Sequence, residues 1–426
     1  MKIPRSIIEN YVRTSYRVVG KNKHSSIKPC YWLEQKLQTG RNNRNCYKGY
    51  WGINSEQCIQ NTPAFPFCNH NCVFCWRDTS YSLGSEFTAT PDEPDHLVDE
   101  LIRHQVNLIQ HHYPLEKSLQ NYQVCLEILN FLHKQHQSSP FTVPTIIQGI
   151  SSYSKGGVDK AILLLKNCDI LKTNDLSSYY LSDYSRNLLE EGISVENLMD
   201  QLVTNETDLQ NSYNRALHPN HAAISLDGEP TLYPYIGELV DTFRKKKFTT
   251  FIVTNGTTPD VIRQLDDTGC LPSILYVTVP PPTKEDYRKI HRPKVKGSWE
   301  NIQTTLDLLA DLSTRTVLRI TAVNHLNIRD DLIDGYVDTI KRVKPNFVDI
   351  KGFTLEGASM GISDRLASNE PGSYYFPDYS EIEQFSHQIS EKSGYKIAAT
   401  HEKSRDILIA VNWSPKKSLI LQENEK

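Results

Sequence analysis

The sequence has no apolar run that approaches the roughly 18 residues needed by a membrane-spanning helix, and no apolar segment near its start of the kind found in secretory signals. It also lacks an excess of either charge, because 47 basic and 50 acidic side chains give a formal net charge of −3. Such a chain does not coat nucleic acid as a whole, so any RNA contact must come from a local basic patch. We expect a soluble, cytoplasmic protein.

The cysteines argue against a disulfide framework. Nine are present, an odd number, and six of them fall between positions 30 and 75. Clustered thiols in a chain without a secretory signal favour metal binding in a reducing compartment.

The tightest group is Cys68, Cys72 and Cys75, in a C-x3-C-x2-C spacing with Phe74 just before the last thiol. Soft thiolates in a tight loop suit zinc or an iron–sulfur cluster. A structural zinc site usually takes four ligands, and nearby only His70 could supply the fourth, from a cramped position. A four-iron cluster held by three cysteines instead leaves one iron open to a ligand that is not protein.

The remaining pattern predicts an α/β fold with a parallel sheet. An amphipathic helix at 91–110 follows the cysteine loop, and beyond residue 220 short β-branched runs alternate with helical patterns. This alternation predicts a partial (β/α) barrel with the cysteine loop after its first strand. The predicted strands are 221–226, 249–254, 274–279, 316–323 and 347–353, and the predicted helices are 234–246, 259–267, 299–312 and 330–343.

Three segments surround or interrupt this predicted barrel. Residues 1–60 form an N-terminal extension that carries the isolated cysteines Cys30, Cys46 and Cys58. Their spacing alone is weak evidence for a site, because a free cysteine is often a small buried hydrophobe. The extension is polar and short of long periodic runs up to about residue 57, so we expect it to be held by something other than a large apolar face. The barrel spans 61–412 with a mostly helical insertion at about 120–215, a hairpin is expected within 395–411, and 413–426 forms a tail.

Two levels of resemblance follow from these motifs. The C-x3-C-x2-C loop with its aromatic residue resembles the radical S-adenosylmethionine (SAM) superfamily, in which the open iron binds SAM. Longer strings resemble the tRNA 4-demethylwyosine synthase family and cover nearly the whole chain except about 120–210. These strings are residues 46–48, 50–53, 58–64, 68–78, 221–226, 228–234, 253–257, 292–293, 315–317 and 347–351.

The resemblance implies a specific reaction. Members of that family condense carbons 2 and 3 of pyruvate with N1-methylguanosine at position 37 of tRNA-Phe, a carbon–carbon lyase reaction that closes the third ring of the wyosine base. The resemblance also implies that Lys48 forms an imine with pyruvate. Because this requires a neutral amine part of the time, we expect the pKa of Lys48 to be lowered. Because the flavodoxin-like domain of the eukaryotic relatives is missing, the resemblance also implies a separate electron donor of ferredoxin or flavodoxin type.

The resemblance further implies two 4Fe-4S clusters and SAM as cofactors. One cluster would be held by the thiols at 68, 72 and 75, and an auxiliary cluster by those at 30, 46 and 58. Gly228 and Glu229 would lie at the SAM amino group, Asn255 near its ribose or carboxylate, and Lys351 at the substrate or the SAM carboxylate. Simpler interpretations are ordinary turns for the first three and solvated lysines for Lys351 and Lys48.

Basic residues after a predicted strand end are the candidates for RNA contact. They are Arg288, Arg292 and Lys294, with the basic run 244–247 as a weaker candidate that is equally well explained as a solvated helix end. Two positions depart from the family pattern. Residues 280–282 are three prolines where Asp-Ala-Pro is expected, and Asp227 replaces a small residue.

Two alternative functions stay open on sequence alone. One is another radical SAM modification of an RNA base, such as methylthiolation, although that reaction gives Lys48 no evident use. The other is a metal-stabilised RNA-binding protein without catalysis, which would not need the Gly-Glu-Pro and Thr-Asn-Gly motifs at strand ends.

Overall fold

The computed structural model describes residues 1–41, 44–135, 140–150, 152–173 and 178–411, so the predicted tail at 413–426 lies outside the described residues. The β-strands in this part of the chain are β1 (Arg17–Val19), β2 (Ser25–Ile27), β3 (Cys58–Thr62), β4 (Phe141–Thr142), β5 (Leu171–Thr173), β6 (Ser178–Leu181), β7 (His221–Ile224), β8 (Thr249–Thr254), β9 (Ile274–Thr278), β10 (Arg315–Ala322), β11 (Phe347–Gly352), β12 (Lys396–His401) and β13 (Asp406–Ala410).

The α-helices of the same ranges vary from a single turn to about five turns. They are α1 (Arg5–Arg13), α2 (Tyr31–Thr39), α3 (Pro94–His112), α4 (Leu115–Lys134), α5 (Val143–Gly149), α6 (Lys155–Asn167), α7 (Asp183–Glu190), α8 (Val195–Leu202), α9 (Glu206–Ala216), α10 (Ile236–Lys245), α11 (Pro259–Asp267), α12 (Lys284–His291), α13 (Ser298–Leu308), α14 (Ile333–Val343), α15 (Ile362–Leu366) and α16 (Tyr379–Ser393). No helix in the described ranges is long and apolar enough to span a membrane.

Ten of the strands form one sheet, in the order β1-β2-β3-β7-β8-β9-β10-β11-β13-β12. The six from β3 to β11 are parallel, and the flanking pairs at both edges are antiparallel. The predicted parallel α/β fold is therefore confirmed, as are the five predicted strands, the four helices between them and the final hairpin of β12 and β13. Closure of this sheet into a barrel stays a prediction.

The two faces of the parallel strands carry different side chains because successive residues of a strand point to opposite faces. Ile252, Val277 and Ile320 belong to the large apolar core that includes residues of the flanking helices. The opposite face carries a smaller cluster with Phe251 and Tyr276. This second face is where charged and thiol side chains are found, as described below.

The N-terminal extension is held by apolar packing to a greater extent than its sequence predicts. We expected little apolar contact before residue 57, but β1 and β2 join the main sheet. Ile3, Ile7 and Tyr11 pack in one buried cluster with Phe65 and Phe67 of the cysteine loop. The extension thus supports the loop directly.

Between α3 and β7 the chain forms a helical segment at 115–217, in the region predicted as an insertion. Its helices α4 to α9 and a three-stranded sheet of β4, β6 and β5 surround a separate apolar cluster that includes Ile128, Leu165 and Leu198. Contacts of α9 with α2 join the segment to the N-terminal extension.

A buried histidine beside β2 makes stability depend on pH. His24 Nδ1–H donates to the Pro63 carbonyl at 2.6 Å, and Nε2 accepts from the Asp92 backbone N–H at 2.8 Å. These bonds require a neutral ring, and burial lowers the pKa of His24 below 6.5. The unfolded chain therefore binds one more proton below pH 6.5, so the contribution of His24 is complete above that pH and is lost as the pH falls.

We expect His24→Gln to reduce the pH dependence of folding by one proton. Between pH 6.5 and 5, the slope of unfolding free energy against pH should fall by up to about 1.4 kcal/mol per pH unit relative to the unsubstituted protein. Urea unfolding at several pH values measures this slope. An identical slope in both proteins would contradict the assignment, whatever the difference in absolute stability.

Candidate active site at the carboxyl ends of the strands

The cysteine loop follows β3 and is bound by a distant segment. The Asn71 N–H donates to the His291 carbonyl at 3.1 Å, and the Val73 N–H donates to the Ile290 carbonyl at 2.9 Å. The Lys294 N–H donates in turn to the Asn69 carbonyl at 2.8 Å. This pairing of 69–73 with 290–294 fixes the backbone that carries the three thiols.

Arg365 of α15 binds the same loop from its other side. Its guanidinium donates to the carbonyls of Cys72 at 3.3 Å, Val73 at 3.1 Å, Cys75 at 2.7 Å and Arg77 at 3.1 Å. Loop carbonyls that converge on one cation cannot turn outward to water. Nothing in the sequence around Arg365 indicates this role, because Arg365 lies about 290 residues from its partners.

The thiols of the loop influence one another electrostatically. Burial, followed by repulsion from Cys75 and Cys68, raises the pKa of Cys72 well above its ordinary value. Burial likewise raises the pKa of Cys68 to about 11. A site that disfavours three thiolates in this way suits a multinuclear metal centre, which would supply the missing positive charge. The donor set therefore fits an iron–sulfur cluster.

Two imidazoles lie beside the central thiol. His70, Cys72 and His291 offer donor atoms within 4.8 Å of one another, and His291 Nδ1 is 3.7 Å from Cys72 Sγ. His70 Nε2 is bonded to the Tyr287 hydroxyl at 2.8 Å. Burial lowers the pKa of both histidines, that of His70 to about 3.

The strand-end motifs fold against this loop. Gly228 has φ +69°, and a Cβ there would lie 2.2 Å from the Ala64 carbonyl oxygen, so the close approach requires glycine. The buried Glu229 carboxylate accepts from the Thr231 N–H at 3.1 Å and hydroxyl at 2.7 Å, from the Thr254 hydroxyl at 2.7 Å and from the Asn255 N–H at 2.8 Å. Glu229 thus links the segments that follow β7 and β8, and both of its carboxylate oxygens accept hydrogen bonds from the protein.

Asn255 connects β8 to the cysteine loop. Its side-chain N–H donates to the Asn69 amide oxygen at 2.6 Å, while Asn69 donates to the Thr257 hydroxyl at 2.6 Å. Asn255 belongs to the predicted Thr-Asn-Gly turn, and Asn69 lies in the cysteine loop between Cys68 and Cys72. The structure brings Gly228, Glu229 and Asn255 together with Cys68–Cys75 at one end of the sheet.

The unexpected Asp227 has a structural explanation. Its Oδ1 lies 3.0 Å from Arg77 Nε and accepts from the Gly228 N–H at 2.7 Å, and both side chains are buried. Arg77 also donates to the Phe65 carbonyl at 2.7 Å. The ion pair ties the end of the cysteine loop to the end of β7, and a small residue at 227 would leave Arg77 buried without its counter-ion.

A second group of thiols includes Cys58, which lies on the same face of the sheet as Phe251 and Tyr276. Cys30 precedes α2, Cys46 precedes the 3₁₀ turn Tyr47–Trp51, and Cys58 begins β3. Burial, then repulsion from Cys46 and also from Cys58, raises the pKa of Cys30 to about 12. The three thiols come from separate elements and repel one another electrostatically, and as a donor set they fit a second iron–sulfur cluster.

Lys48 lies within this group, with Nζ 3.4 Å from Cys58 Sγ and only 7% of the residue exposed. It is not a solvated loop lysine. We expected its pKa to be lowered. Burial does disfavour the ammonium, but the surrounding thiols of Cys58, Cys46 and Cys30 outweigh it, and the net pKa of Lys48 is raised.

Lys351 is also largely buried, but its side chain contacts other groups than that of Lys48 does. Its Nζ donates to the Ser404 carbonyl at 2.7 Å and lies 3.9 Å from Asp406 Oδ2. It also lies 5.1 Å from the ring centroid of Tyr47, the neighbour of Lys48. The structure therefore places Lys351 beside Tyr47 and the turn between β12 and β13.

A basic groove of about 680 Å³ borders the cysteine loop. Arg288 on its wall is exposed, whereas Arg292 donates to the Arg365 carbonyl and Lys294 Nζ donates to the Cys68 carbonyl at 3.2 Å. Only Glu300 contributes an acid to the lining, and it is paired with Lys284. The run 244–247 lies elsewhere, and its members Lys245 and Lys246 pair with aspartates.

Comparisons with known proteins identify the family. A family model described as the radical SAM superfamily matches residues 215–334, and one described as wyosine base formation matches 342–411. S-adenosyl-L-methionine-dependent tRNA 4-demethylwyosine synthase of Pyrococcus horikoshii is 30% identical over 409 residues, which are 96% of this chain and 89% of the relative. The chain belongs to the tRNA 4-demethylwyosine synthase family.

Other members of the family agree. The synthase of Methanocaldococcus jannaschii is 27% identical over 96% of both chains, and the human one is 27% identical over 96% of this chain but 41% of its own length. Two solved structures share the fold. A TYW1 structure with a lysine–pyruvate adduct has a TM-score of 0.62 at 23% identity, covering 96% and 97% of the two chains, and an archaeal TYW1 has 0.56 at 22%, covering 97% and 99%.

Membership of the tRNA 4-demethylwyosine synthase family determines the broad activity. The protein is a SAM-dependent radical enzyme of wyosine base formation in tRNA, and its superfamily carries a 4Fe-4S cluster. This result sets aside the non-catalytic alternative.

The chain departs from the expected family pattern at residues 280–282. Pro280 and Pro281 are buried there, and a Cβ on Gly335 of α14 would lie 2.4 Å from Pro282 Cβ. The prolines thus pack against a helix.

Proposed function

We propose that this enzyme condenses carbons 2 and 3 of pyruvate with N1-methylguanosine at position 37 of tRNA-Phe to form 4-demethylwyosine. The observation that carries the proposal is Lys48, an amine buried beside three thiols in a chain of this family. A fold relative carries a lysine–pyruvate adduct, which is the chemistry that an amine in this position would supply.

The residues have separate roles in the proposed site. Cys68, Cys72 and Cys75 would hold the SAM cluster, which supplies the 5′-deoxyadenosyl radical when SAM is cleaved. Gly228 and Asn255 would contact SAM through strand-end backbone and amide groups, while the Glu229 side chain orders those strand ends. Lys48 would hold pyruvate covalently until the guanine amino group displaces the lysine.

The thiols of Cys30, Cys46 and Cys58 would hold the auxiliary cluster. Three protein ligands leave one iron open, which is a suitable anchor for the keto acid. Their proximity to Lys48 supports this role because an imine and a metal-bound carboxylate of one small molecule must lie within a few ångströms. A ferredoxin- or flavodoxin-type protein would supply the electrons.

The proposal is tested by an anaerobic assay with SAM, a reductant, labelled pyruvate and tRNA that carries N1-methylguanosine at position 37. We expect a tricyclic nucleoside with two pyruvate carbons by mass spectrometry, and none with tRNA that lacks the N1-methyl group. If 5′-deoxyadenosine forms without that nucleoside, the assignment as a radical SAM enzyme is retained and the substrate assignment is wrong. A methylthiolated nucleoside would favour the alternative modification.

The basic groove is the proposed RNA contact, with Arg288 as its most accessible cation. We expect Arg288→Ala to weaken tRNA binding and to lower the slope of log binding constant against log salt by about one phosphate contact. Fluorescence anisotropy over a range of salt concentrations measures both. Arg292 and Lys294 are less suitable for this test because Arg292 also binds the Arg365 carbonyl and Lys294 also binds the Cys68 carbonyl.

The matched control for the groove is Lys245→Ala. Lys245 is exposed and pairs with Asp241 at 2.8 Å at the end of α10. Its removal should leave both the tRNA affinity and the salt slope unchanged. Equal effects of the two substitutions would show that affinity follows total charge and not the groove.

A further inference from the structure

The contact between His291 and the cysteine loop has no role in the proposed reaction. His291 ends α12 and is buried, with 3% of the residue exposed. Its ring packs edge-on against Phe74 at 5.4 Å between centroids, and near the rings of Tyr287 and His70. The ring orientation is therefore fixed by packing on several sides.

The polar contact of His291 is directed at one sulfur. Nδ1 lies 3.7 Å from Cys72 Sγ, within hydrogen-bond distance for sulfur. The backbone on both sides of the contact is also fixed, since the Asn71 and Val73 N–H groups donate to the carbonyls of His291 and Ile290. As a metal ligand Cys72 would be a thiolate, which can only accept, and a neutral imidazole carries one N–H, so with the cluster bound the donor is Nδ1–H.

We propose that His291 is a positioning residue that donates a hydrogen bond from Nδ1–H to the Cys72 sulfur of the SAM cluster and thereby raises the reduction potential of that cluster. Reduction adds one electron to the cluster and makes its sulfurs stronger acceptors. A donor at one sulfur therefore stabilises the reduced form more than the oxidised form. The electron comes from the separate donor protein, and no bond is broken in this step.

This inference rests on the proposed ligand role of Cys72 and not on pyruvate or RNA as substrates. The test is a potentiometric titration of the anaerobic holoenzyme followed by EPR. The SAM cluster is recognised as the one whose signal changes when SAM is added. If that signal survives in Cys72→Ala, the ligand assignment itself has failed, which is a different outcome from an unchanged potential.

Two variants of His291 separate a hydrogen bond from packing. We expect His291→Phe, which keeps a ring but removes the donor, to lower the equilibrium constant for reduction about tenfold, equal to a shift of about 59 mV to more negative potential. His291→Asn, which places an amide N–H near the position of Nδ1, should recover most of the potential. Tyr287→Phe, which removes the hydroxyl bonded to His70, is the matched control and should leave the potential unchanged.

An unchanged potential in His291→Phe, or equal shifts in the Phe and Asn variants, would overturn the proposal. If His291→Phe binds no cluster, wild-type protein labelled with ¹⁵N at histidine alone provides the decision. Pulsed EPR of its reduced cluster should detect a weak nitrogen coupling, as expected through a hydrogen bond. No coupling, or the large coupling of an iron-bound imidazole, would contradict the inference.

Discussion

Lys48→Arg is expected to abolish formation of the tricyclic nucleoside, by about a thousandfold or more, while leaving both proposed clusters in place. Arginine keeps a positive charge beside Cys58 but cannot form an imine with a keto acid. In the unsubstituted enzyme, borohydride reduction in the presence of pyruvate should attach the three-carbon unit to the peptide that contains Lys48. The variant should give no such peptide.

Lys48→Arg should retain SAM cleavage and both proposed clusters, and these two properties separate a covalent role of Lys48 from a structural one. Cleavage of SAM to 5′-deoxyadenosine depends on the strand-end site, so we expect it to continue, uncoupled from product. Iron and sulfide contents should match the unsubstituted protein. If the variant still made the nucleoside, the covalent role of Lys48 would be wrong, and a loss of iron would show that Lys48 is needed for the thiol group itself.

Arg365→Gln is expected to prevent assembly of the SAM cluster. One guanidinium binds four carbonyls of the loop that carries Cys72 and Cys75. Hydrogen bonds from a charged donor contribute about 1.5–3 kcal/mol each, and glutamine can replace only part of the set. Reconstituted protein should therefore fall from about eight to about four irons per chain, with loss of the SAM-responsive EPR signal.

Two further variants define the cause of that loss. Arg365→Lys keeps the charge but not the planar fork, and we expect partial cluster occupancy. Arg186→Gln removes a hydrogen bond of 3.2 Å to the Leu181 carbonyl and an ion pair of 3.5 Å with Asp183, both within the helical segment, so iron content should stay normal. Full cluster occupancy in Arg365→Gln would show that the pairing of 69–73 with 290–294 is sufficient to hold the loop.

The parts of this protein that sequence predicts well are those set by local pattern. The alternation of β-branched runs and amphipathic helices gave the strands and helices after residue 220 because each element buries one face. The cysteine loop and the Thr-Asn-Gly turn are likewise readable because their chemistry lies in a few adjacent residues.

The parts that sequence did not predict depend on contacts between distant residues. Nothing near Arg365 indicates that it binds a loop about 290 residues away, and nothing near Asp227 indicates its pairing with Arg77. The apolar packing of Ile3 and Ile7 was also missed, because α1 has only nine residues and its apolar face is too short to be recognised as a periodic run. Lys351 was correctly placed at a strand end, but its partner, the Ser404 carbonyl, lies in a hairpin turn.

One short strand joins the two proposed metal centres. Cys58 begins β3, and the loop with Cys68 starts after its last residue, Thr62. Five residues at about 3.3 Å each set a distance of about 13 Å between the first and last Cα, in a strand paired on both sides with β2 and β7. Lengthening it by one residue would turn alternate side chains to the wrong face. β3 therefore sets the separation between Cys58 and the start of the cysteine loop, so a change in its length would shift the two proposed centres relative to one another.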